Sequence, residues 1–188
     1  MNDQGRLDYK LPGNKKVNLA LFWATNSFGD KHTAGLNKAE AMLKEHGMGL
    51  NCWPSSRIKT PDRTFDFGPE LIREEQYTDI YRTVSGVADG AGLREHLIVV
   101  FCSFVKRANG TTISRGPLLC FRRPMVFVSC SPGDDAVTLL HEVGHAAGMD
   151  HDLTSTGTTA RNFMNEAETR STMMKWQVEK MGQAFFIT

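Results

Sequence analysis

No stretch of this chain is apolar over the roughly 18 residues that a membrane-spanning helix needs, so none of its 188 residues suggest a transmembrane segment. Neither sign of charge is in excess. The 22 Lys and Arg stand against 21 Asp and Glu, for a formal net charge of +1. That balance removes the electrostatic ground for a nucleic-acid or anionic-membrane partner, and Lys15-Lys16, Lys106-Arg107 and Arg122-Arg123 read as solvated strand ends. Cysteine is scarce. Cys52, Cys102, Cys120 and Cys130 have no C-x-x-C spacing, which argues against a redox motif or a second zinc site. They allow three pairings and the spacing selects none; Cys102, Cys120 and Cys130 lie in apolar runs that suit small buried thiols. Met1-Asn2-Asp3-Gln4-Gly5 lacks the basic and apolar regions of a secretory signal. The expectation is a cytoplasmic protein, one exported by a signal-independent route, or a trimmed mature form. Internal repeats and low-complexity tracts are missing too.

What remains is an ordinary globular composition, 40% hydrophobic and 23% charged, on a chain long enough to bury one sizeable core. Val17–Ala24 is a compact apolar run suited to a central strand. Thr33 is a candidate cap for a helix with Leu36, Ala39, Met42 and Leu43 at helical spacing and Gly47 as its stop. Met48–Trp53 reads as a second strand, halted by Pro54, which makes the opening a β-α-β unit. Residues 54–72 read as a long surface loop and about 70–84 as a short helix, with Gly90-Ala91-Gly92 as linker. Leu97–Val105 is a strong buried strand; Asn109-Gly110 marks a turn, and Thr111–Phe121 and Met125–Cys130 supply two more strands. Asp134, followed by Asp135, is the expected cap of the next helix. Ser171 is the expected cap of the last one, whose stripe is Met174, Val178, Met181 and Phe185.

The informative residues run through the end of that penultimate helix and past it: His141-Glu142-Val143-Gly144-His145-Ala146-Ala147-Gly148-Met149-Asp150-His151, or H-E-x-x-H-x-x-G-x-x-H. Five such positions match by accident on the order of once in 10⁵ chains of this length. On a helix His141 and His145 lie one turn apart on one face, as two imidazoles on one metal require. Gly148 is free to adopt positive φ, so the helix can end there and the chain can return His151 as a third ligand. Three protein ligands leave one tetrahedral position open, the pattern of a catalytic zinc.

At these residues the chain resembles the metzincin clan of zinc endopeptidases. The clan's second signature is a methionine-containing turn beneath the metal, and Asn162-Phe163-Met164-Asn165 is the candidate, with Met164 as the turn methionine and Met173 and Met174 as weaker competitors. Astacins and serralysins carry a tyrosine two residues beyond that methionine. Here the position holds Glu166, and the tyrosines are Tyr9, Tyr77 and Tyr81. The match is therefore closer to the matrixin and reprolysin branches. Asp152, after the third histidine, resembles the reprolysin aspartate that braces the Met-turn.

The resemblance implies an α+β sandwich of α/β type. Its parts are a twisted, mostly parallel five-stranded sheet with an antiparallel edge strand, an active-site helix, the Met-turn and a C-terminal helix. It also implies one catalytic domain over 1–188, with an N-terminal subdomain over 1–148 and a small C-terminal one over 149–188. The implied activity is peptide-bond hydrolysis by a monomer with one catalytic zinc on His141, His145 and His151, and Glu142 as general base. Calcium is left open, since no run of Asp and Asn has EF-hand spacing. The partner is a protein or peptide lying along an exposed sheet edge. Gly116–Phe121, with Gly116, Leu118 and Leu119, is the candidate edge because proline is tolerated in strands mainly at edges or bulges. Leu153–Phe163 and the residues after Met164 would wall the specificity pocket. Alternatives are a zinc amidase or peptidase acting on cell-wall peptides as an exported toxin, and a non-catalytic zinc-binding module.

Overall fold

The computed structural model describes residues 7–24, 31–59, 64–65, 74–104, 110–113, 124–129, 137–152, 161–165 and 170–188. In chain order the elements are β1 (Lys16–Trp23), α1 (Lys31–Glu45), β2 (Gly49–Lys59), β3 (Thr64–Phe65), α2 (Glu74–Gly90), β4 (Leu97–Phe104), β5 (Gly110–Ile113), β6 (Met125–Ser129), α3 (Thr138–Ala146) and α4 (Lys175–Met181). Five strands lie in the order β2-β1-β4-β6-β5, and the two-residue β3 pairs with the end of β4. β2, β1, β4 and β6 run parallel, while β5 is antiparallel to β6 and closes the sheet beside α3.

The continuous apolar runs of β1, β4 and β6 follow from burial on both faces, as parallel strands require. Alternation divides them. Val17, Leu19, Leu21 and Trp23, with Leu97, Val99, Phe101, Val126 and Val128, face the core that α1 and α3 cover. Ala20, Phe22 and Ala24, with Ile98, Val100, Cys102, Met125 and Phe127, face a second core containing Val84 and Ala88 of α2. Both α3 and its histidines are therefore fixed to one known face of the sheet.

Several expectations need correction. β2 does not stop at Pro54 but continues to Lys59, with a register shift opposite Ala20–Phe22. It is the outermost strand on its side of the described sheet, where proline and a bulge are tolerated. The expected loop over 54–72 therefore carries the end of β2 and the short β3. α2 runs on to Gly90 through Gly86, because its packing outweighs the modest penalty of an interior glycine. α1 begins at Lys31, two residues before Thr33, and its end is as expected: Gly47 takes φ +74°. α4 starts at Lys175, with Met174 rather than Ser171 at the cap position. It ends at Met181, so the helical spacing breaks; Phe185 is 42% exposed and Phe186 is buried in its place. The expected strand over 111–121 is described only as β5; α3 starts at Thr138, with Val137 rather than Asp134 at the cap position; Asp134, Asp135, Cys120 and Cys130 lie outside the described residues.

Beyond α4 the chain returns to the start of β1. Lys16 and Thr188 exchange backbone hydrogen bonds at 2.8 and 3.1 Å, ahead of Leu19, where β4 takes over that side. The buried Asn18 secures this return. Its amide donates to Phe186 O at 3.2 Å and to Thr188 Oγ1 at 3.0 Å, and its Oδ1 accepts from Asn51 at 2.8 Å.

Candidate metal centre

Helix α3 is anchored by Val137, Leu140 and Val143, at spacings of three, all buried against the sheet. That placement leaves His141 and His145 on an adjoining face. The helix ends in a Schellman arrangement: Gly148 N–H donates to His145 O at 2.9 Å, and Met149 N–H donates to Gly144 O at 3.1 Å. Gly148 takes φ +82°, as the expected turn requires. Three residues later His151 comes back over the helix end.

The three Nε2 atoms then meet. His141 to His145 is 3.1 Å, His145 to His151 is 3.1 Å and His141 to His151 is 3.2 Å. Nitrogens on a tetrahedral zinc, at about 2.0–2.1 Å from the ion, lie about 3.3–3.4 Å apart. The observed triangle fits that requirement. The far sides of two rings are also committed. His141 Nδ1 donates to Phe163 O at 2.7 Å, and His145 Nδ1 donates to Met149 O at 2.8 Å. A nitrogen facing a carbonyl must carry the proton, so in both rings Nε2 presents a lone pair to the centre of the triangle. Converging lone pairs repel unless a cation lies between them. No other cluster of three such donors exists among the described residues.

The protein also keeps these rings neutral. Burial pushes His141 down to about 4, against the pull of its bond to Phe163 O, and Arg170 with the other two histidines adds to the effect. His145 is lowered for the same leading reason, burial. Neutral imidazole is the form that binds metal.

Glu142, one residue past the first histidine, is 6% exposed. It lies beside β5: a Cβ added at Gly110 would come 2.8 Å from Thr138 Cγ2 and 2.9 Å from Glu142 Cγ. Gly110 is thus a close approach between the edge strand and the carboxylate-bearing side of α3, a constraint that sequence reading, which marked Gly110 only as a turn, missed.

Beneath the helix, Asn162–Asn165 form a turn closed by Asn165 N–H to Asn162 O at 3.0 Å. Phe163 and Met164 are wholly buried against Gly144, where an added Cβ would lie 2.7 Å from Phe163 Cε2 and closer still to Met164 Sδ. Asp152 binds this turn twice, donating its N–H to Met164 O at 3.1 Å and accepting from Asn162 Nδ2 at 3.1 Å. Gly116, Leu118 and Leu119 lie outside the described residues, as does the wall over 153–160. Asn162, the Phe163 carbonyl and Gln177 were not singled out from sequence. No sequence signal points to Gln177, because the cap three residues before it is Met174 rather than a Ser, Thr, Asp or Asn.

No protein-family model matches this chain, and no curated protein sequence matches it. Solved structures do. Mirolysin, in complex with a compound, aligns over 91% of this chain and 94% of its own, at TM-score 0.55 and 12% identity. Metalloproteinase-II from Bacteroides fragilis aligns over 96% of this chain at TM-score 0.57 and 11% identity, and the alignment spans 57% of that longer protein. At such identities the likeness is one of fold.

Proposed function

We propose that this chain is a metzincin-type zinc endopeptidase, with His141, His145 and His151 as ligands, Glu142 as general base and Met164 as the methionine of a Met-turn. The observation that carries the reading is the triangle of Nε2 atoms 3.1–3.2 Å apart, two of its rings locked from behind by backbone carbonyls. The two structural neighbours, one of them named as a metalloproteinase, support it at the level of fold.

A zinc ion held there would supply Lewis acidity, lowering the pKa of a water toward about 7 and polarising a peptide carbonyl. The chain's own residues do the rest. The Glu142 carboxylate takes the proton from the attacking water and passes it to the departing amine nitrogen. Its burial beside Gly110 limits the positions it can adopt. β5, the antiparallel end strand next to α3, offers main-chain groups on which an extended peptide would add as a further strand. The expected substrate contacts at Gly116, Leu118 and Leu119 follow β5 directly in sequence. Asp152 holds the turn beneath the metal in place.

The test combines metal analysis with an unbiased peptide library. Purified protein should carry one zinc per chain and cleave internal peptide bonds, and a chelator should stop it. Glu142→Ala should keep the zinc and lose about 10²–10⁴ in turnover, while His145→Ala should lose the zinc. Undiminished cleavage by Glu142→Ala would falsify the assignment of the base; a protein that takes up no metal sinks the whole reading.

A further inference from the structure

We infer that Asn162 and Gln177 are positioning residues of the metal centre, carrying the placement of α4 through Asp152 to the third ligand, His151. The inference rests on the proposed metal reading of the triad. Both amides are 0% exposed, and burying an unpaired amide costs about 1–3 kcal/mol. Here they are paired in one direction. Met174 N–H, at the start of α4, donates to Gln177 Oε1 at 2.8 Å. Gln177 Nε2 donates to Asn162 Oδ1 at 2.8 Å, and the same oxygen accepts from Met164 N–H at 3.0 Å. Asn162 Nδ2 donates to Asp152 Oδ2 at 3.1 Å. A flipped Asn162 amide would turn its NH2 toward two donors and its oxygen toward a carboxylate, so a single orientation satisfies the chain.

The relay matters because of where it ends. His151 is exposed and lies beyond the end of α3, whereas His141 and His145 are carried by that helix. Its covalent neighbour Asp152 is tied to the turn by backbone and side chain, and both ties run to the segment that Asn162 organises. That turn also supplies Phe163 O to His141. An apolar pair of the same size would fill the space but would hold neither Asp152 nor the Met164 N–H.

The experiment measures the zinc dissociation constant by chelator competition, the visible bands of the cobalt(II)-substituted protein, and the melting temperature of the metal-free protein. Asn162→Ala and Asp152→Ala should each weaken zinc binding about 10–100-fold and shift the cobalt bands. Their double variant should lose no more than the worse single. Asp152→Asn, whose amide oxygen can still accept from Asn162, should stay close to wild type. Gln177→Leu should also weaken zinc, although Gln177 is remote in sequence from every ligand. If Asn162→Ala does not fold, the Asp152 pair, on a partly exposed residue, decides. Variants that lower the melting temperature but leave the zinc constant and cobalt bands unchanged overturn the inference, as do additive losses. A wild-type protein that binds neither metal overturns the metal reading itself, and this inference with it.

Discussion

The two sources of the triad are held by different physics. His141 and His145 ride on a helix whose neighbouring positions Val137, Leu140 and Val143 are buried against a sheet. His151 lies on irregular chain past Gly148, and what fixes that chain is hydrogen bonding: Asp152 to Met164 and Asn162, and Asn162 to Gln177. The helical histidines inherit their geometry from periodicity and apolar packing. The third inherits its geometry from directed polar bonds. A metal bound here would need both regions intact, because three nitrogens within 3.2 Å of one another tolerate little displacement.

The contrast can be broken from the apolar side first. Leu140→Ala removes a buried side chain next to His141 and should destabilise the whole protein by about 2–5 kcal/mol, read as a denaturation midpoint. A shift below 1 kcal/mol would mean that α3 is not held by this packing. Acid offers the next largest effect. His141 titrates near 4 in the folded chain against about 6.5 unfolded, so between those values the unfolded state binds more protons. Stability of the metal-free protein should therefore be complete above about pH 6.5, fall as the pH drops, and level off below about 4. This one group accounts for up to about 3 kcal/mol. A flat profile over that window would contradict a neutral, buried His141.

Two glycines sharpen the comparison further. Gly144→Ala drives a methyl into Phe163 and Met164, exactly where the helix meets the turn. Overpacking of this sort costs about 1–3 kcal/mol, and it should weaken zinc binding as well, since the same turn holds His141 and Asp152. Among the described residues Gly148→Ala meets only the end of the Lys180 side chain, Cε at 3.6 Å and Nζ at 4.0 Å, so its penalty is that of a left-handed backbone at φ +82°. About 1–2 kcal/mol is expected, with Gly148→Asn smaller because asparagine tolerates that region. Equal penalties for alanine and asparagine would place the cause elsewhere.

Much of this was legible in the chain because it is local. The apolar runs of β1 and β4, the positive φ at Gly47 and Gly148, and the i, i+4 histidines each depend on a few consecutive residues. The misreadings have equally local explanations. Pro54 signals a strand end in the sequence, but its tolerance depends on lying in the outer strand, and edge position is a property of the sheet. Phe185 was placed in the last stripe because the early end of α4 is set by packing at Leu11 and the return to β1. Asn162 and Gln177 carry no periodic signal, since the bonds that join them to each other and to Asp152 span 10 to 15 residues.

The amino-acid order alone determined which side chains could bind a metal and that two of them share a helix face, because helical repeat and donor chemistry are carried by neighbouring residues. Only the folded chain decided that the third imidazole joins them, which carbonyls orient the rings, and which edge strand lies against Glu142. Those outcomes depend on hydrogen bonds between segments distant in sequence, and such bonds have no address until the sheet, the turn and the last helix are packed together.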